Sequence, residues 1–99
     1  MATLNEGDPV WIEYEPARHA RDGGYHGGTG SSGNQGGRVW VPSADGRPVD
    51  IGHLVRRWRV SRDEIEIETS QGTARAKPDV ESDPSRGLVR GRVTAPATI

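Results

Sequence analysis

Apolar residues recur along this chain mostly with a period of two. Val10, Ile12 and Tyr14 fall on one face of a short run, with Trp11, Glu13 and Glu15 on the other. This alternation predicts a strand with one wetted face. Asp8-Pro9 opens the run and Pro16 closes it. Val39-Trp40-Val41 restarts the pattern, and Ala44-Asp45-Gly46 offers a three-residue hairpin loop with Gly46 in the left-handed position. That register sets Val41 opposite Val49 and Val39 opposite Ile51, whereas a two-residue Asp-Gly turn would set Val41 against Asp50. A second hairpin follows if Gln71-Gly72 forms a two-residue turn. Glu68 then faces Arg75, Glu66 faces Lys77 and Ser70 meets Thr73, while Ile67 faces Ala76 on the buried side. Pro78 ends this strand and residues 79–86 read as a polar connection. Residues 88–94 alternate again, with Val89 and Val93 inward around Gly91, and residues 95–99 read as a tail.

Two stretches break the alternation. Over residues 50–59, Ile51, Leu54, Val55 and Trp58 follow helical spacing, while Gly52, His53, Arg56, Arg57 and Arg59 take the other side. Asp50 can cap such a helix, and arginines in its last turns suit the helix dipole. The spacing predicts one short amphipathic helix with Trp58 on its buried side. Residues 22–37 are of another character: eight of the 15 residues from 23 to 37 are glycine, and the rest are mostly small and polar. Fixing each backbone costs about 1–2 kcal/mol, so this segment reads as a flexible loop unless an outside contact holds it.

A chain of 99 residues is one domain with a thin core. Leu, Ile, Val and Phe together number 17, so Trp11, Trp40 and Trp58 must supply much of the bulk. The formal net charge of −1 stands against disorder. With no cysteine, disulfides, thiol catalysis and cysteine-based metal sites are excluded. No apolar run approaches the length of a membrane helix, so no membrane partner is expected. The first residues lack the basic and apolar regions of a signal peptide, so the expected location is the cytoplasm or a virus particle. About six short strands and one helix make the predicted class a mostly β, small single-domain barrel or sandwich.

Candidate chemistry adds little to this picture. Gly28-Thr29-Gly30-Ser31-Ser32-Gly33 matches the dinucleotide pattern G-x-G-x-x-G. The sequel Asn34-Gln35-Gly36-Gly37 cannot start the helix that would hold a pyrophosphate, so no cofactor is expected. His19, His26 and His53 have no ligand spacing for zinc, and no metal is expected. The carboxylate pairs Glu13/Glu15 and Glu66/Glu68 fall on wetted strand faces, where salt bridging explains them. No serine has a readable His and acid partner. The chain therefore reads as a non-enzyme.

The remaining feature is basic. Arg56-Arg57-Trp58-Arg59 with Arg62 forms one cluster, and Arg90 and Arg92 form a smaller one. Together with Tyr25 and His26 of the glycine-rich segment, these arginines are the candidate interface residues.

The Gly7-Asp8-x-Val10 opening, just before a strand ending in acidic residues, resembles the first strand of SH3-like small barrels. That fold serves nucleic-acid-binding modules, translation factors, and the connector and decoration proteins of tailed viruses. It carries no functional residue across. The size, the glycine-rich segment and the mixed charge point to an assembly protein that contacts copies of itself or a larger scaffold. A head-to-tail connector, stopper or capsid-decoration protein is the most specific version. The alternative is a small nucleic-acid-binding module using the arginine cluster.

Overall fold

The computed structural model describes residues 3–28 and 37–99. Its strands are β1 (Thr3–Leu4), β2 (Pro9–Glu13), β3 (Ala20–Arg21), β4 (Gly24–Gly27), β5 (Arg38–Pro42) and β6 (Pro48–Asp50), followed by β7 (Val55–Val60), β8 (Ile65–Thr69), β9 (Gly72–Pro78), β10 (Leu88–Val93) and β11 (Ala97–Thr98). One short helix, α1 (Pro16–His19), lies between β2 and β3. Among the described residues nine strands form a single curled sheet in the order β3-β4-β7-β8-β9-β10-β2-β5-β6, a half-barrel with β3 and β6 at its edges. β1 and β11 pair separately. The mostly β class is as the alternation predicts, although the strands are shorter and more numerous than six.

The inner face follows the period of two. Val10, Ile12, Val39, Val41, Val60, Ile65, Ile67, Val89 and Val93 are all withdrawn from solvent, and Tyr14 is 6% exposed. The first hairpin has the expected register. Val41 pairs with Val49, the Ile51 amide donates to the Val39 carbonyl at 2.8 Å, and Gly46 has φ +85°. Of the three tryptophans, Trp58 alone is fully buried. Trp11 and Trp40 pair with each other on the outer face, where both are half-buried.

The expected helix over residues 50–59 is not present. Gly52–Leu54 forms one 3₁₀ turn, and β7 then runs between β4 and β8. The register against β8 shifts between Val55 and Arg57, so Arg56 is an extra residue. This bulge turns both Arg56 and Arg57 outward and keeps Val55 and Trp58 inside. The bulge spreads two inward residues to a spacing of three, and that spacing mimics a helical face.

The second hairpin is displaced by two residues from the expected pairing. Thr69 pairs with Gly72, Ile67 with Ala74, Glu66 with Arg75 and Ile65 with Ala76, so the turn is Ser70-Gln71. The Thr69 hydroxyl accepts the Gln71 amide at 3.0 Å, which fixes this tighter turn. A slip of two leaves every side chain on its original face, so the apolar pattern cannot distinguish the registers. The charges rearrange accordingly. Arg75 meets Glu66 at 2.8 Å and Glu64 at 3.3 Å, and Glu68 is taken by Arg57 of the other neighbouring strand at 2.9 Å.

Two further expectations are corrected. The segment 22–37 is not loop from its start: Asp22 (φ +52°) and Gly23 (φ +80°) make a tight turn joining β3 to β4. Both left-handed values match the hairpin turn favoured by Asp-Gly. β4 then pairs along β7, with Tyr25 opposite Val60 and His26 opposite Arg59. Residues 29–36, and with them most of the G-x-G-x-x-G match, lie outside the described residues. The expected tail 95–99 is part of the fold: β11 pairs with β1, and Ile99 is 2% exposed in the core.

These burials give a direct test. Ile99→Ala should cost about 2–5 kcal/mol, whereas Val80→Ala, at a residue wholly exposed, should change stability by less than about 0.5 kcal/mol. Urea unfolding of the two variants checks both, and equal midpoints would contradict the placement of Ile99.

Candidate interaction surfaces

One end of the sheet is organised around Trp58. Its ring stands 4.9 Å from that of Tyr14 and 5.3 Å from that of His19, and Tyr14 lies 5.0 Å from Tyr25. Pro16 at the first turn starts α1, and the His19 Nδ1 donates to the Glu15 carbonyl at 3.0 Å. This folds α1 and β3 back over the indole. On the other side, a Cβ at residue 27 would lie 2.6 Å from the indole ring, so β4 can pass Trp58 only with glycine there.

The outer result is a basic groove of about 520 Å³. Arg18 and Arg21 come from α1 and β3, His26 with the backbone of Gly27 and Gly28 from the β4 side, and Arg56 and Arg57 from the bulge of β7. Among the described residues no carboxylate lines it. Arg18 lies 3.7 Å from Glu15 and Arg57 is held by Glu68, whereas Arg21 and Arg56 make no ion pair among the described residues.

The structure thus brings together four of the residues chosen from sequence. His26, Arg56 and Arg57 line the groove, and Tyr25 packs beneath it against the core. Arg59 neighbours His26 in register, and Arg62 is exposed in the turn after β7. Arg90 and Arg92 are separate, because β8 and β9 intervene between β7 and β10. Arg90 lies over Trp11 at 5.4 Å and 3.7 Å from Asp79, while Arg92 points to the Gly7 carbonyl. Sequence reasoning missed Arg18 and Arg21. The available signal was the Asp22-Gly23 dipeptide, which returns the chain along β4 and sets its preceding residues beside the arginine cluster.

The opposite end carries a trough of about 800 Å³ beside edge strand β6, with a mixed lining in which Asn5, Asp8, Ser43 and His53 stand beside apolar residues. Val41, Pro42, Ala44 and Ile51 contribute to its walls, and Val49 and Leu54 stand 43% exposed at its margin. Ladder bonds at Ser43–Arg47 and Val39–Ile51 leave the backbone groups of Pro48 and Asp50 facing away from β5. Pro48 has no N–H to give, so the edge offers few donors to an added strand.

A third cleft, of about 460 Å³, lies between Tyr14, Glu13, Glu15, Arg38 and Arg86. Its Tyr14 hydroxyl donates to the Pro84 carbonyl. Burial, with smaller effects from Tyr25 and Asp83, pushes the Tyr14 phenol above its ordinary value, so it stays protonated as a structural donor. Asp83 caps the Pro84–Arg86 turn, and the Ser85 hydroxyl and amide, helped by Arg86, hold its carboxyl below the usual range. Among the described residues no group of three His, Asp or Glu is placed to hold a metal ion.

Because the folded Asp83 has the lower pKa, its stabilisation is present above the unfolded value and is lost as the pH falls through the folded one. Asp45, held down first by the Ser43 hydroxyl, has the same sign. Stability should therefore hold from neutral pH to about 5 and decline below about 4. Asp83→Asn should remove part of that decline in thermal unfolding measured across the acid range. Superimposable wild-type and variant profiles would show that Asp83 contributes nothing.

Comparison of the chain with protein-family models, with curated proteins and with solved structures found no match.

Proposed function

We propose that this protein is a non-enzymatic assembly protein that acts by contact with other protein surfaces, in the first place copies of itself. The observation that carries the reading is the pair of exposed aliphatic residues at the trough beside β6. Val49 and Leu54, both 43% exposed, stand at the margin of a concave surface of mixed polar and apolar lining. Exposed aliphatic residues gathered at one concavity mark contact surfaces more often than scattered ones do. Pro48 disfavours extension of the sheet, so the contact is made through side chains. The mixed, patterned charge of the outer face suits an interface that selects its partner by complementarity.

The shifted titratable groups support a non-catalytic reading, because Tyr14, Asp45 and Asp83 each serve a local turn or packing contact. Within assembly proteins, the most specific version is a tailed-virus component of the connector, stopper or decoration kind. The SH3-like opening, the size and the mostly β build support that version.

The test is native mass by light scattering after size exclusion in moderate salt. A defined multiple of 10.7 kDa is expected. The double variant Val49→Glu/Leu54→Glu should shift it to the monomer while leaving the fold intact, because both residues are already wetted. A wild-type monomer across the accessible concentration range would overturn self-assembly, and an unchanged oligomer in the double variant would move the interface elsewhere.

A further inference from the structure

We infer that the groove between α1, β3, β4 and the β7 bulge binds the phosphate backbone of nucleic acid, independently of base sequence. The site lies at the other edge of the sheet from the proposed self-contact. It does not rest on the assembly reading.

Four arginines from two separated stretches of chain converge there. Like charges brought together this way repel one another, and folding would avoid the arrangement without a compensating anion. Arg38, Arg59, Arg62 and Arg92 make no ion pair among the described residues but do not line the groove, and other arginines have internal partners. Arg75 sits between Glu64 and Glu66, Arg90 beside Asp79 and Arg86 beside Asp83. In the groove, Glu15 and Glu68 answer Arg18 and Arg57 from outside its walls, and Arg21 and Arg56 remain unanswered among the described residues.

The backbone geometry serves the same end. The bulge aims two consecutive arginines outward, where a regular strand would bury one of them. Gly27 and Gly28 leave the floor without side chains, and a Cβ at Gly28 would lie 2.7 Å from the Arg56 carbonyl. A phosphate can therefore approach the main chain between the guanidinium groups, whose planar forks suit its oxygens.

The chemistry also limits the ligand. Trp58 is fully buried and Tyr25 is packed on the core, so neither large ring can stack on a base, and the rings lining the groove are the imidazoles of His19, itself buried, and His26. Among the described residues the wall holds no carboxylate or side-chain amide, and its polar side chains are the arginines and histidines. What remains is four guanidinium groups lining one groove of about 520 Å³, more cations than a single small anion engages. The acidic overall balance, pI near 6.3, does not contradict this, because the carboxylates are held on other strands and loops.

The experiment is fluorescence anisotropy with labelled mixed-sequence single-stranded and duplex DNA of about 20 nucleotides. Affinity is followed between about 50 and 200 mM salt. The wild type should bind and lose roughly 100-fold in affinity across that range, as expected for about four phosphate contacts. Arg21→Ala/Arg56→Ala should weaken binding at least 10-fold and lower the salt slope by about 2, while Arg21→Lys/Arg56→Lys should recover most of the affinity. Arg47→Ala/Arg92→Ala removes the same charge from two exposed positions that do not line the groove and should change affinity by less than about 2-fold.

No binding by folded wild type at the lowest salt would overturn the inference. So would equal losses in the groove and control variants, which would mean that only net charge matters. Displacement by millimolar inorganic phosphate would overturn the polymer assignment. These outcomes are independent of native mass, so the groove and the self-contact can fail separately.

Discussion

Trp58 occupies the centre of β7 with no exposed surface, and much of the architecture at that end is arranged to cover its indole. Ile67 lies opposite it on β8 and Gly27 on β4. Tyr14 and His19 close over it from the segment after β2. A side chain of this size can bury on the order of 150–250 Å², a large share in a chain without phenylalanine. Covering it imposes conditions on its neighbours. Residue 27 must be glycine, Pro16 must reverse the chain, and α1 with β3 must lie back across the strand. Those same conditions carry Arg18 and Arg21 to the rim where the bulge presents Arg56 and Arg57, so the basic groove is a consequence of how the core is sealed.

Much of the inner face was legible in the sequence, because period-two burial leaves its mark on every strand long enough to alternate. β2, β5 and β10 show this plainly, and the Ala44-Asp45-Gly46 loop could be chosen over its rival because one residue of slip would have put Asp50 against Val41. Three features were illegible for physical reasons. A two-residue slip at Ser70-Gln71 preserves the faces, so only the local hydrogen bond of Thr69 and the competition of Arg57 for Glu68 decide it. A single bulge residue converts strand spacing into apparent helical spacing over Val55 and Trp58. The burial of Ile99 depends on β11 finding β1 from the far end of the chain, a contact that short alternation cannot announce. The site was half legible: the arginine cluster stood out by composition, but its partners Arg18 and Arg21 became neighbours only through the β3–β4 turn.

Net charge is a poor guide to such a surface. The outer face of β7, β8 and β9 is laced with pairs, Arg57 to Glu68 and Arg75 to Glu64 and Glu66. With their side chains partly wetted, each contributes no more than about 1 kcal/mol to stability. Their larger effect is on potential, since they neutralise part of the middle of the sheet, while Arg21 and Arg56 near the β3–β4 edge stay unpaired among the described residues. A chain of formal charge −1 can in this way carry a locally positive groove.

The two edges of the half-barrel then differ in kind. At one, a two-residue strand and a crowd of arginines leave little backbone for another strand to pair with. At the other, Pro48 removes an amide from an edge of three residues and Val49 and Leu54 supply apolar area instead. An open sheet risks uncontrolled edge-to-edge growth, and here both edges are short and chemically marked. Contacts at either end must therefore be made by side chains, cationic at β3 and aliphatic at β6. Side-chain contacts discriminate between partners in a way that a free strand edge, which pairs with almost any extended backbone, does not.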